Sequence, residues 1–298
     1  MGVLGVLGKK IELIAFDILL LSMVNTSGQS NNEYTDLEGG IFGNGDLENG
    51  KTSRGKPSHG NGDLGDGLWV GSLEDNLNGG GVQSLPPEIR VAFIQKIYCL
   101  LSLQLLITWA MSYGVYVSHS ATLFVLNTPG ALVVATLGTF LSLFLSWCYG
   151  KSYPVNYFIL FMFTLCESYT VAYICLFYQP TSILMAWGLT ASIFIILSGY
   201  VLITGKDFSF LGAGLFACLW IMIIGGLIQV IWLPGDQFLN TAMAIFGAMI
   251  ACGYILYDTS DILKRLDPDD FVYACMSLYL DIIMLFLRLL ELFGTLRD

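Results

Sequence analysis

Three acids stand where acids are costly. Glu167 in "TLCESYTVAY", Asp258 in "YILYDTSDILKR" and Asp281 in "SLYLDIIMLF" each interrupt an apolar run. A charged group at the centre of a membrane helix costs ~3 kcal/mol on insertion scales, and such residues mark ion or proton pathways. Two of the three can meet. If Lys264 closes one helix and Phe271 opens the next, the rise per residue sets Asp258 ~9 Å and Asp281 ~15 Å below the same surface. That offset is about one turn across an antiparallel hairpin. Carboxyls that meet in a low-dielectric site share a proton and titrate as a coupled pair. Losing the proton adds repulsion, which parts the helices or admits a cation, and calcium favours carboxylate oxygens. Asp258 and Asp281 are therefore expected to be a pH-sensing pair on an ion pathway and ligands for calcium, with Glu167 a further pathway residue. The bland alternative puts Asp258 at the interface and Asp281 on a neighbouring hydroxyl. Asp261, one turn beyond Asp258, reads as a helix-end group. Arg288, two turns from Asp281 on the same face, is placed to pair with Glu291 at i+3.

The elements that must position these acids are membrane helices. Of the 298 residues, 55% are hydrophobic and 12% charged, about half the charged share of a soluble domain. Between Ile97 and Tyr257 the charged side chains are Lys151, Glu167, Lys206, Asp207 and Asp236. Seven apolar segments, at 92–117, 130–149, 156–178, 181–204, 208–233, 238–263 and 270–294, each reach the ~20 residues that cross a bilayer. Backbone groups in lipid must bond internally, and continuous apolarity argues against an alternating barrel, so the fold class is all-α. "NTPG", "KSYPVN", "QPT" and "PGD" punctuate the segments. "DPDD" suits a tight hairpin: Asp267 caps, Pro268 takes the first helical position, and Asp269 and Asp270 favour the positive helix end. Arg288, Glu291 and Arg297 leave a re-entrant course open for the last segment.

Loop charge sets the orientation. Arg90 and Lys96, Lys151, Lys206, and Lys264 with Arg265 fall on one side, while the intervening loops hold no Lys or Arg. The positive-inside rule makes the N-terminus cytosolic and, with seven spans, the C-terminus lumenal or external. Gly212, Ala213, Gly214, Gly225, Gly226, Gly247, Ala248, Ala251 and Gly253 allow close helix contact. The seven cysteines all lie in apolar runs without metal-type spacing and are expected as buried, unpaired thiols.

Ahead of the membrane domain, expected over 89–298, lie two different stretches. Residues 1–24 form an apolar extension broken by Glu12 and Asp17, with Met23 as an alternative start. Residues 25–88 read as a disordered tail: 15 of the 33 glycines fall within 25–84, where "GNGDL" occurs twice. The net charge of −10 comes largely from this tail, and no basic stripe suits nucleic acid.

At these residues the chain resembles the transmembrane Bax-inhibitor-motif family, and within it the Lifeguard branch. The resemblance rests on "IRVAFIQKIYCLLSLQLLIT", "PVNYFILFMFTLCESYTVAY", "GKDFSFLGAGLF", "CGYILYDTSDILKR" and "SLYLDIIMLFLRLLELFG", in that order; "DLEGG" at 36–40 is similar to the tail of plant members. It implies a seven-helix bundle with the last helix central. It also implies a pH-sensitive calcium leak in internal membranes such as the endoplasmic reticulum, linked to suppression of cell death. The family's paired aspartates match Asp258 and Asp281, and the acid of its third helix matches Glu167. Some members latch the pair with an arginine in the second helix; residues 130–149 hold no basic residue, so closure here relies on the shared proton or other contacts.

Two other classes compete. A di-aspartyl intramembrane protease shares the "YD" signature, but its second acid would lie in GxGD, and here "LYLD" stands instead. A non-conducting regulator that binds cell-death proteins or channels fits the same composition. The expectation is a non-enzyme without a cofactor, whose partners are the bilayer, calcium and protons, and cell-death regulators or channel proteins.

Overall fold

The computed structural model describes residues 86–232 and 236–295. The readings of residues 1–24 and of the tail as far as residue 85 lie outside the described residues. The helices are α1 (Pro87–Val117), α2 (His119–Asn127), α3 (Pro129–Tyr149), α4 (Val155–Cys175), α5 (Pro180–Thr204), α6 (Leu211–Trp232), α7 (Gln237–Lys264) and α8 (Phe271–Thr295). A 3₁₀ turn, Pro268–Asp270, joins the last two, and the described residues contain no strand. Seven of these helices are long and apolar enough to cross a membrane. The chain is an integral membrane protein.

Helix boundaries follow from local chemistry. Pro87, Pro129 and Pro180 open α1, α3 and α5, where a missing N–H costs nothing and φ is already helical. Gly205, at φ 60°, closes α5 in the left-handed conformation and sends its N–H back to Val201 O. Asp236 caps α7 by accepting from the amides of Phe238 and Leu239 at 2.9 and 3.1 Å.

Three expectations need correction. The loop after the first segment contains α2, a helix of nine residues started by Ser118, whose hydroxyl accepts from the Ala121 amide. Asp267 makes no side-chain cap; the turn is closed by its backbone carbonyl, which accepts from the Asp270 amide at 2.9 Å. All seven cysteines are free, yet Cys99 and Cys148 lie on the outer surface rather than inside. Beside these three corrections, the re-entrant course left open for the last segment gives way to one continuous helix.

Polarity in the bundle is turned outside in. Leu137, Ile195, Ile203, Trp220 and Ile231 are exposed, whereas Gln104, Thr108, Glu167, Asp258, Asp281 and Arg288 are buried. Such a surface is stable only against lipid. The last helix is the axis. In α8, 83% of the apolar window is buried, against 61% in α4 and 33% or less in the other spans. It packs most extensively on α7, and also meets α5, α1, α4 and α3; α6 rests on α7. On the α1 and α4 side, Tyr279 stacks edge-on against Phe163 and its hydroxyl is hydrogen-bonded to that of Thr108 at 2.7 Å. On the α5 side, Phe286 lies flat on Trp187 with ring centroids 4.3 Å apart. Phe286→Ala opens a cavity at that fully buried position and should cost about 3 kcal/mol, read as a lower unfolding temperature in detergent.

Candidate functional site

The site grows from one run of four residues in α7. Successive helical residues point ~100° apart, so Tyr257, Asp258, Thr259 and Ser260 fan out to four neighbours. The Tyr257 ring lies against Gly212 of α6, so closely that a Cβ there would meet ring carbon at 2.8 Å. Glycine at 212 is required by that approach. Thr259 Oγ1 lies 3.2 Å from Ser198 of α5, which in turn accepts from the Tyr98 hydroxyl of α1 at 3.0 Å. The Ser260 hydroxyl accepts from the Phe208 amide at 3.0 Å, tying down the loop between α5 and α6. Asp258 faces α8 and accepts a short hydrogen bond from the Ser277 hydroxyl.

That bond sets the register of the two helices. Ser277 lies six residues after Phe271 and Asp258 six before Lys264, so the pair is level, and Asp281 is one turn further in on the Ser277 face. Both carboxyls are buried, Asp258 at 4% and Asp281 at 5% exposure. Tyr273, one turn before Ser277, stands within electrostatic range of Asp258, Asp261 and Asp281, with its hydroxyl in reach of Ser277. The structure thus gathers Asp258, Asp281, Ser277 and Tyr273 between α7 and α8.

The other candidate residues fall elsewhere. Glu167 is buried on α4 but faces α3, where the Thr139 hydroxyl is within hydrogen-bonding reach. Its neighbours Thr164 and Ser168 point to α1 instead, meeting Gln104 and Thr108 at 3.0 Å each. Asp261 is partly exposed and pairs with Arg265 at 3.9 Å, and Arg265 reaches Asp207 at 3.8 Å. The Ser209 amide and hydroxyl, then Arg265 and Lys264, hold the Asp207 carboxyl below its ordinary 3.8. Arg288 and Glu291 do pair, at 2.7 Å, near the opposite end of α8.

Lys151 pairs with Asp270 at 3.2 Å, and the Lys96 ammonium sits 3.3 Å over the centre of the Phe271 ring. Together with the Arg265 pairs, these contacts gather Lys96, Lys151 and Arg265 at the end of the bundle where α7 meets α8. Among the described residues no group of three or more His, Cys, Asp or Glu side chains is placed to hold a metal.

Comparison with known proteins bears on the same helices. The family model described as "Inhibitor of apoptosis-promoting Bax1" matches residues 90–298, from the first turn of α1 onward. The chain belongs to this family. Mouse "Protein lifeguard 4" is 38% identical over 221 residues, covering 74% of this chain and 92% of that protein. The "Golgi anti-apoptotic protein" of vaccinia virus strain Lister is 37% identical, covering 74% of this chain and 93% of the viral protein. Arabidopsis "Protein LIFEGUARD 2" is 35% identical, covering 71% and 90%. Lifeguard proteins of animal and plant thus stand at nearly equal distance from this member.

Sequence reading of this Bax-inhibitor chain overlooked Ser277 and Tyr273. Their signal was present in the spacing 273, 277, 281, which is one helical face. Coupling between Ser277 and Asp258 is expected to be about 1–2 kcal/mol in a double-mutant cycle of Ser277→Ala and Asp258→Asn, measured by unfolding in detergent. Additive effects would mean that the hydroxyl does not carry the carboxylate.

Proposed function

We propose that the protein suppresses cell death by letting calcium leak through its bundle, under control of a proton shared by Asp258 and Asp281. The observation that carries this reading is the Ser277 hydroxyl on Asp258, which sets the two carboxyls one turn apart in the buried seam of α7 and α8. The names of the relatives support the wider role: one is a lifeguard protein and one a Golgi anti-apoptotic protein. The latter name also favours an internal membrane, the endoplasmic reticulum or a neighbour, with the basic end of the bundle and the N-terminus in the cytosol.

The chemistry is an exchange of charges. With one proton between them, the carboxyls can stay close in a low dielectric. Without it, two negative charges face each other, and a divalent cation relieves the repulsion in the proton's place. Calcium is cargo in this scheme, and the seam must both attract and release it. The polar residues that hold Asp258 in place, Ser277 and through Thr259 also Ser198, keep the seam at a fixed register while protonation changes.

Purified protein in liposomes should pass calcium, with flux falling as the pH is lowered through the titration of the pair. Asp258→Asn and Asp281→Asn should abolish that pH dependence. An absence of flux at every pH, or a wild-type pH profile in both variants, contradicts the proposal. Protection from cell death that survives loss of both aspartates and of the flux would favour a non-conducting regulator.

A further inference from the structure

The seam that holds the aspartates continues to the far end of the bundle, and there it meets a basic residue. Residues 273, 277, 281, 284, 288 and 291 of α8 follow one another at spacings of four and three, so they form one stripe. Two contacts pin that stripe to α7. One is Ser277 on Asp258; the other is Arg288, whose side chain lies across Gly247. Eleven residues separate Ser277 from Arg288, and eleven separate Gly247 from Asp258. Eleven residues are about three turns, so antiparallel helices keep both contacts on one line.

Gly247 makes room for the guanidinium. A Cβ at 247 would stand 2.7 Å from Arg288 Nε and 2.8 Å from its Cδ, and Ala244 and Ala251, one turn to each side, are small and buried. Arg288 Nη1 donates to Glu291 Oε2 at 2.7 Å, with side-chain exposures of 7% for Arg288 and 17% for Glu291. The cation is thus the deeper member of the pair, and the anion lies nearer the end of α8. Between Arg288 and Asp281 lie two turns, about 10 Å, of the same stripe. The stripe therefore runs from acids at one end to a buried ion pair, Arg288 with Glu291, at the other.

We propose that Arg288, seated on Gly247 and held by Glu291, is the far-end barrier of the cation path. This inference rests on the calcium-leak reading and names the residue that limits passage and excludes cations when the acidic end is open. The ion pair is neutral overall, but Arg288 is its member nearer Asp281, so an ion arriving from the acidic end meets the guanidinium before the carboxylate and is repelled there. Glu291 acts as a positioning residue: it holds the guanidinium over Gly247 and satisfies its buried charge.

The test compares calcium flux against pH in proteoliposomes for the wild type, the double variant Arg288→Met with Glu291→Gln, and Gly247→Ala. Removing both charges avoids leaving an unpaired ion in the bundle. The double variant should raise maximal flux roughly tenfold while leaving the pH of half-maximal flux unchanged, because that belongs to the aspartates. Gly247→Ala, which keeps every charge but pushes Arg288 off its seat, should raise flux in the same direction and answers the question if the double variant does not fold. A wild type whose leak responds to pH, with both variants within about twofold of it, overturns the barrier alone. A wild type without flux overturns the barrier together with the leak on which it rests.

Discussion

A carboxylate buried in a membrane bundle must find a donor, and the hydroxyl of Ser277 on Asp258 meets that demand. The consequence reaches beyond one hydrogen bond. Because it joins the neighbouring ends of two antiparallel helices, it fixes how α8 slides against α7. Once Ser277 is level with Asp258, Asp281 must lie one turn deeper and Arg288 must meet Gly247 three turns away. The packing of the fold's axis and the placement of its buried acids are therefore set by the same contact.

The surroundings of Asp258 show how α7 is held in rotation as well as in height. Tyr257, Asp258, Thr259 and Ser260 engage α6, α8, α5 and the loop after α5 in turn. A helix attached on four sides cannot turn about its axis without breaking several bonds at once. Apolar packing alone would be a weaker guide, since lipid tails are as apolar as leucine and give little preference for one face over another. Hydroxyls and close glycine contacts supply the missing specificity, which explains why small and polar residues concentrate on the buried faces of α7.

Much of this could be read from the chain itself. The seven spans ended within a few residues of where the helices end, because proline and glycine mark the turns and apolar length marks the crossings. The depth estimate for Asp258 and Asp281, an offset of one turn, agrees with the register that Ser277 sets, since rise per residue and a short "DPDD" connection leave little freedom. Other features were not legible for physical reasons. Ser277 looks ordinary within "ACMSLYLD" until α7 is placed beside it. The direction of Glu167 depends on the rotation of α4, which an almost uniformly apolar helix does not announce. Helix α2 is too short to register as a membrane segment, and Asp267 is placed as a cap by composition while the backbone of the turn does that work.

The central claim is that Asp258 and Asp281 hold one proton between them, and infrared difference spectroscopy on reconstituted protein tests it most directly. A band from a protonated carboxyl should appear and disappear with pH as a single coupled titration, and both Asp258→Asn and Asp281→Asn should remove or strongly shift it. If that band is absent, or persists unchanged in both variants, the two aspartates do not share a proton and the account is wrong at its centre.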